Sequence, residues 1–177
     1  LAVLAALGLW QADTRPDVLV SDTGVVGGVR TAEGRALSRG KGAGFVARNW
    51  LENDGDGAEQ EVAFARWDAP DMPVTHLHGK RAIAAFEGCA PGGIVVASAA
   101  LPVRAPCLIL DPEVLRATGA VALHYTSTGA RIVTARDMAG DRIWSGWRDR
   151  AIPPLDWDAP ADMLALQNDK GRPESLP

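Results

Sequence analysis

The stretch 89–147, CAPGGIVVASAALPVRAPCLILDPEVLRATGAVALHYTSTGARIVTARDMAGDRIWSGW, decides the fold. Its runs IVVAS (94–98) and CLILD (107–111) are short, apolar, rich in β-branched residues and bounded by Gly and Pro, as buried strands are. PEVLRATG then opens a helix, with Asp111 as N-cap, Pro112 in the first helical position and Gly119 as the stop. AVALHY (120–125) and RIVTA (131–135) flank Ser-Thr-Gly, a hairpin connection. The stretch therefore reads strand, loop, strand, helix, strand, hairpin, strand. The chain before it reads as the other half of a sheet that this piece completes.

Working outward towards the start, Pro16 ends any helix and DVLVS (17–21) follows as a strand. TGVVGGVRT (23–31) is a second strand, AEG (32–34) a turn and RALS (35–38) a short third strand. GKGAG (40–44) lacks the full phosphate-loop pattern and links that strand to a helix over FVARNWLEND (45–54). NDGDG (53–57) ends the helix; without the remaining calcium-loop ligands it is a solvated turn. AEQEVAFARW (58–67) is a second short helix or an extended arm, and DAPDMP (68–73) a loop. GKRAIAAFEG (79–88) reads as a strand with a charged start. The segment 151–177, rich in Pro and Asp, has no regular period and is expected to be irregular or disordered.

At 177 residues the length suits one domain, and 47% hydrophobic with 23% charged residues is ordinary globular usage. The net charge of −4 leaves no long-range attraction for a polyanion, so any nucleic-acid contact must come from a local patch. LAVLAALGLW (1–10) is too short to cross a bilayer, which needs ~20 residues. A core helix, a signal-peptide remnant and the end of a truncated transmembrane helix all fit it; the expectation is the last, over 1–12. Trp10 would be its interfacial anchor. The flank after Trp10 has one Arg against two Asp, unlike a cytoplasmic loop, and leans to the periplasmic face.

Four groups of residues invite a chemical reading. His76 and His78 in Val-Thr-His-Leu-His-Gly-Lys-Arg (74–81) are weak metal candidates. Zinc hydrolases of the metallo-β-lactamase type carry T-H-x-H-x-D-H, in which imidazoles and a carboxylate hold the metal. Here Lys80 and Arg81 stand where the Asp and the next His would be, and two cations repel a metal ion. Cys89 and Cys107, eighteen positions apart, fit no zinc spacing; they are two buried small hydrophobes or a disulfide contributing ~3 kcal/mol. Arg136, Arg142 and Arg148 interleave with Trp144 and Trp147, a mixture that contacts phosphates and stacks on bases, although Asp137, Asp141 and Asp149 cancel much of the charge. Arg30, Arg35, Arg39, Lys41 and Arg48 form a second basic stretch. Asp22-Thr23-Gly24 has no second such triplet and is a turn, Ser98 lacks a nucleophile elbow, and His124 lies alone on its strand. No catalytic residue and no cofactor is expected.

An apolar strand ending near Ser98, a Pro-rich loop with a Cys, Leu-Ile-Leu-Asp (108–111), Leu-Arg-x-x-Gly-Ala (115–120) and Gly-Asp-Arg-x-Trp (140–144) occur in this order. With Pro-Asp-Val-Leu-Val-Ser-Asp-Thr-Gly (16–24) and Phe-Val-Ala-Arg-Asn-Trp-Leu-Glu-Asn-Asp-Gly-Asp (45–56), the chain over roughly 1–147 resembles the C-terminal domain of alphaproteobacterial ComEC-type competence proteins. These are inner-membrane channels for DNA internalisation. The resemblance implies an α/β fold of α+β layering over 13–150, a truncated metallo-β-lactamase-like sheet sandwich flanked by helices and stripped of its metal ligands. It implies an accessory domain without hydrolase activity, at the inner membrane on its periplasmic side. The partners it implies are the rest of a polytopic membrane protein, single-stranded DNA and a second copy of the chain. A metal-dependent nuclease or hydrolase and a purely structural domain are the alternatives.

Overall fold

The computed structural model describes residues 15–68, 74–101, 106–126 and 129–140. After Pro16 the chain runs through β1 (Val18–Val20), β2 (Gly27–Thr31) and β3 (Gly34–Leu37), then helices α1 (Gly44–Asp54) and α2 (Gln60–Ala65) and a 3-10 turn (Arg66–Asp68). There follow β4 (Val74–Leu77), α3 (Lys80–Ala84), β5 (Ile94–Ala97), β6 (Leu108–Leu110), α4 (Pro112–Thr118), β7 (Val121–Thr126), β8 (Gly129–Thr134) and α5 (Ala135–Ala139). The fold is mixed α/β, with two sheets of different character. An antiparallel sheet has the order β3-β2-β1-β7-β8, and a parallel sheet the order β4-β5-β6.

The hairpin read from the sequence completes the first sheet. β7 pairs with β1 through Val18↔Leu123 and Val20↔Val121, and with β8 from Val121↔Thr134 to Thr126↔Gly129. The two apolar runs instead pair with each other and with β4, through Val74↔Ile94 and Ile94↔Leu108. The sheets share one core. Val18, Val20, Val29, Val121 and Leu123 cluster with Val74, Ile94, Val96, Leu108 and Leu110 of the parallel sheet and with Leu115 of α4. Each such side chain stabilises by about 1.5–3 kcal/mol on burial. The i, i+2 spacing of Val18 and Val20, with half-buried Leu19 between, is the two-residue strand period that places one face of β1 inward. All four residues of β5 are buried, as expected of a central parallel strand covered on both faces.

Helices α1 and α2 cover β2 and β3 through a second cluster of Val26, Leu37, Ala47, Leu51 and Ala63. Gly28 makes that approach possible: a Cβ there would stand 3.0 Å from Arg35 Cδ and 3.2 Å from Trp50 Cε3. The cap signals hold locally. Asp111 accepts from the backbone N–H of Glu113 at 2.9 Å and of Val114 at 3.1 Å, and Gly119 ends α4. Thr134 and Asp137 form a capping box that starts α5. Gly55, at φ 73, ends α1 within the NDGDG turn.

One element differs from its sequence reading. The segment 79–88 is not a strand: Lys80–Ala84 is helix α3. Gly79, at φ 84, turns the chain out of β4, and the Ala-rich run that follows has high helix propensity. AEQEVAFARW resolves as helix α2 with its 3-10 turn. Among the described residues no helix is long and apolar enough to cross a membrane; the segments 1–12 and 151–177 lie outside the described residues.

Candidate functional site

Parallel strands end at a common edge, and in open α/β sheets ligands bind outside those carboxyl ends. Here β4, β5 and β6 deliver His76 and His78, Ser98 and Asp111 to that edge. The turn 21–26 between β1 and β2 reaches over it. Inside that turn the Gly24 N–H donates to Ser21 O at 2.9 Å, and the Val26 N–H to Ser21 Oγ at 3.2 Å. Asp22 and Thr23 point to solvent, which makes the Asp-Thr-Gly triplet a turn. Gly24 has φ +65, and a Cβ there would stand 2.5 Å from Ala97 O, so only glycine lets this turn touch the end of β5.

His76 is tied to that turn. Its Nε2 lies 3.0 Å from Gly24 O. A carbonyl only accepts, so Nε2 carries the proton and donates it. Burial lowers the pKa of His76 and the Gly24 carbonyl works against that, while His78 and Arg39, both cationic when protonated, lower it further. His78 is exposed, its ring centroid 6.0 Å from that of His76 and tilted by 37°. The other polar groups of the edge are engaged locally. Ser98 Oγ accepts the Gly79 N–H at 3.3 Å, and Asp111, buried, caps α4 and accepts the Leu101 N–H at 3.3 Å. His124 stands on β7 opposite Arg131, in the other sheet. Among the described residues no three His, Cys, Asp or Glu side chains converge as a metal cluster. The Nε2–H of His76 would have to leave Gly24 before that nitrogen could ligate anything.

Lys80 and Arg81, the first two residues of α3, are exposed beside His78. They and Arg39 have no ion-pair partner among the described residues. The second basic stretch otherwise divides. Arg35 is 0% exposed; its guanidinium pairs with Asp54 and donates to Pro16 O at 3.1 Å. It is therefore not a surface group, a correction to its place in a basic track. Arg30 pairs with Asp17 at 2.8 Å and Lys41 with Glu61 at 3.1 Å. Arg66, outside the sequence-derived set, pairs with Asp56 and holds its carboxyl below the usual range. A cavity of about 440 Å³ beside Arg15, Arg30 and Arg35 is charge-balanced by Glu33, Asp54 and Asp56.

Of the arginine–tryptophan segment, Arg136 is half-buried on α5, which packs against α4. Arg142, Trp144, Trp147 and Arg148 lie outside the described residues. Cys89 and Cys107 form a disulfide with Cα atoms 6.0 Å apart, joining the segments that lead into β5 and β6. The contact of His76 with Gly24 was not readable from spacing, since it joins residues far apart in sequence. Compared with known proteins, the chain matches no family model, no curated protein and no solved structure.

Proposed function

We propose that this chain is a non-hydrolytic accessory domain of an inner-membrane DNA-uptake system, built on a shortened metallo-β-lactamase-like sandwich and lying on the periplasmic side. The observation that carries the reading is the composition of the parallel-sheet edge. Lys80 and Arg81 occupy the places where a hydrolase of that type needs a carboxylate and an imidazole. His76 directs its Nε2–H into Gly24 O, which takes that one ring nitrogen out of ligation. An edge so built repels a divalent cation and attracts an anion. Two sheets around one core with helices outside suit the layering of the sandwich, and the Cys89–Cys107 bridge suits an oxidising compartment.

The test is elemental analysis of the purified chain together with a cleavage assay on single-stranded DNA supplemented with zinc or manganese. The expected result is neither stoichiometric metal nor cleavage. Stoichiometric zinc or manganese that His76→Ala removes, or metal-dependent cleavage that the same change abolishes, would overturn the reading in favour of a nuclease.

A further inference from the structure

The two outer strands of the antiparallel sheet differ. At the β3 end the edge is closed: α2 packs on that strand, and the Arg66 Nη1–H donates to Arg35 O at 3.1 Å. At the other end β8 has β7 on one side and no strand on the other among the described residues. In an antiparallel ladder the N–H and C=O of one residue point to the same side, and those of the next residue to the opposite side. The Ala135 N–H donates to Ala120 O at 2.8 Å, in line with the β7–β8 ladder. Arg131 and Val133 therefore also face β7, and Ala130, Ile132 and Thr134 face away. The outward Thr134 N–H is taken by Asp137 Oδ2 at 2.9 Å, in the box that starts α5. The N–H and C=O of Ala130 and of Ile132 have no partner among the described residues. On the inner face Ile132 packs at the margin of the shared core and is only half-buried. On the outer face a row of charged residues crosses the sheet. Arg35 stands opposite Arg30, the Arg30 N–H donates to Asp17 O at 2.8 Å, the Asp17 N–H to Leu123 O at 2.8 Å, and His124 stands opposite Arg131. Along this row Arg35 has Asp54 and Arg30 has Asp17, whereas Arg131, exposed at its end, has no carboxylate partner among the described residues.

We propose that β8 is a docking edge for an extended segment of a partner polypeptide, which joins the sheet as a further antiparallel strand with an acidic side chain beside Arg131 and apolar ones beside Ala130 and Ile132. This edge and its occupant are independent of the DNA-uptake reading. Backbone pairing supplies the affinity, and the alternating side chains supply the selection. β8 carries no proline and, apart from Arg131, no charge that would blunt it as an edge. Charge complementarity selects the occupant, because opposite charges directly across adjacent strands attract and like charges repel. The same rule disfavours a second copy of the chain. A two-fold register centred on Arg131 sets this arginine against itself. One centred on Ile132 sets Ala130 against a Thr134 whose N–H is already taken. An acidic extended segment meets neither obstacle.

NMR of the whole chain, titrated with a blocked peptide of about seven residues, Ser-Val-Glu-Val-Glu-Val-Ser, tests this against the same peptide with Lys in place of Glu. The amides of Ala130 and Ile132 should shift and become protected from hydrogen exchange. Those of Arg131 and Val133, bonded to β7 in the free chain, should keep the protection they have. The Glu peptide should bind about fivefold tighter than the Lys peptide, and Arg131→Glu should reverse that order. Ala130→Pro removes an outward N–H, leaves the bonds to β7 in place and should abolish binding. If that variant melts early, the wild-type chain gives the same answer: N-methylation of the peptide's valine amides, which face β8, should abolish binding, and N-methylation of its glutamate amides should not. Equal affinity for the two peptides overturns the proposal. So does binding of the Glu peptide that survives Ala130→Pro or valine N-methylation, and so does a wild-type chain that binds neither peptide at millimolar concentration. A dimer in sedimentation equilibrium that Ala130→Pro dissolves overturns it in favour of a second copy.

Discussion

On the antiparallel side of the molecule, Arg30, Arg35 and Arg66 each meet a carboxylate. After β4 of the parallel sheet, Lys80 and Arg81 meet none among the described residues. For Arg35 against Lys80 and Arg81 the difference follows depth. A guanidinium packed between a sheet and a helix has lost its water and is stable there only with a counter-charge and hydrogen bonds. Arg35 lies along Gly28, close to Trp50, and has Asp54 and Pro16 O to receive it. An exposed cation keeps its water and needs no partner. Cations that look alike in the chain are therefore structural where buried, as Arg35 is, and available where exposed, as Lys80 and Arg81 are.

The largest expected effect breaks the comparison on its buried side. Asp54→Ala leaves the Arg35 guanidinium buried without its carboxylate and should cost about 3–5 kcal/mol in chemical denaturation. Arg35→Met, which removes the charge and keeps much of the volume, should cost less. A loss below about 1 kcal/mol for Asp54→Ala would mean that Arg35 is solvated, and the contrast in depth would fail.

Next in size is the cross-link of the parallel sheet. Replacing Cys89 and Cys107 by Ser should cost about 3 kcal/mol, the value for a closed loop of this length. Reducing the wild-type chain should lower its stability to that of the double variant. Equal stability of the wild-type chain before and after reduction would remove the bridge from the account of this sheet.

Gly24→Ala should cost about 1–3 kcal/mol, since the residue sits at φ +65 and its new Cβ would press on Ala97 O. The change should also disturb the carbonyl that holds His76, which imidazole nitrogen NMR shifts would report. An unchanged Nε2–H signal would show that His76 is held by something other than this turn.

A smaller effect is read in acid. The Asp56 pKa is lowered, first by its hydrogen bond from Arg66, so the folded chain holds this carboxylate ionised to lower pH than the unfolded chain does. Its contribution is complete above the ordinary carboxylate value of 3.8 and is lost as pH falls through the lowered folded value. Asp56→Asn should therefore flatten the pH dependence of stability below about pH 4. An acid limb identical to wild type would place the linkage in other carboxylates.

The smallest effect is expected at the exposed edge. Lys80→Ala and Arg81→Ala should each leave stability within about 0.5 kcal/mol. A larger loss would mean that these side chains are part of the packing and would weaken their assignment to an outside anion.

Much of the local structure was legible because its causes lie within a few residues. Asp111, Pro112 and Gly119 delimit α4 through cap chemistry that no distant contact has to supply. Val18 and Val20 face the core on a two-residue period, and the paired strands β7 and β8 were read as a hairpin from the runs on either side of Ser-Thr-Gly. The misread segment 79–88 shows the limit of this. A run of five residues carries too few periods to separate strand from helix, and Gly79 decided it by turning the chain away from the sheet.

By itself the sequence determined the apolar runs, the helix caps, the hairpin, the two cysteines near neighbouring strands and the two cations that follow His76 and His78. Only the tertiary structure divided the strands between an antiparallel and a parallel sheet, because pairing depends on surfaces that meet from distant parts of the chain. Only it separated buried Arg35 from exposed Lys80 and Arg81, and brought Gly24 O to His76 Nε2 across fifty-two residues. Propensity and capping act through local backbone stereochemistry, which is written residue by residue. Desolvation and electrostatics act through whatever lies nearby in space, and that is set only when the two sheets close on their shared core.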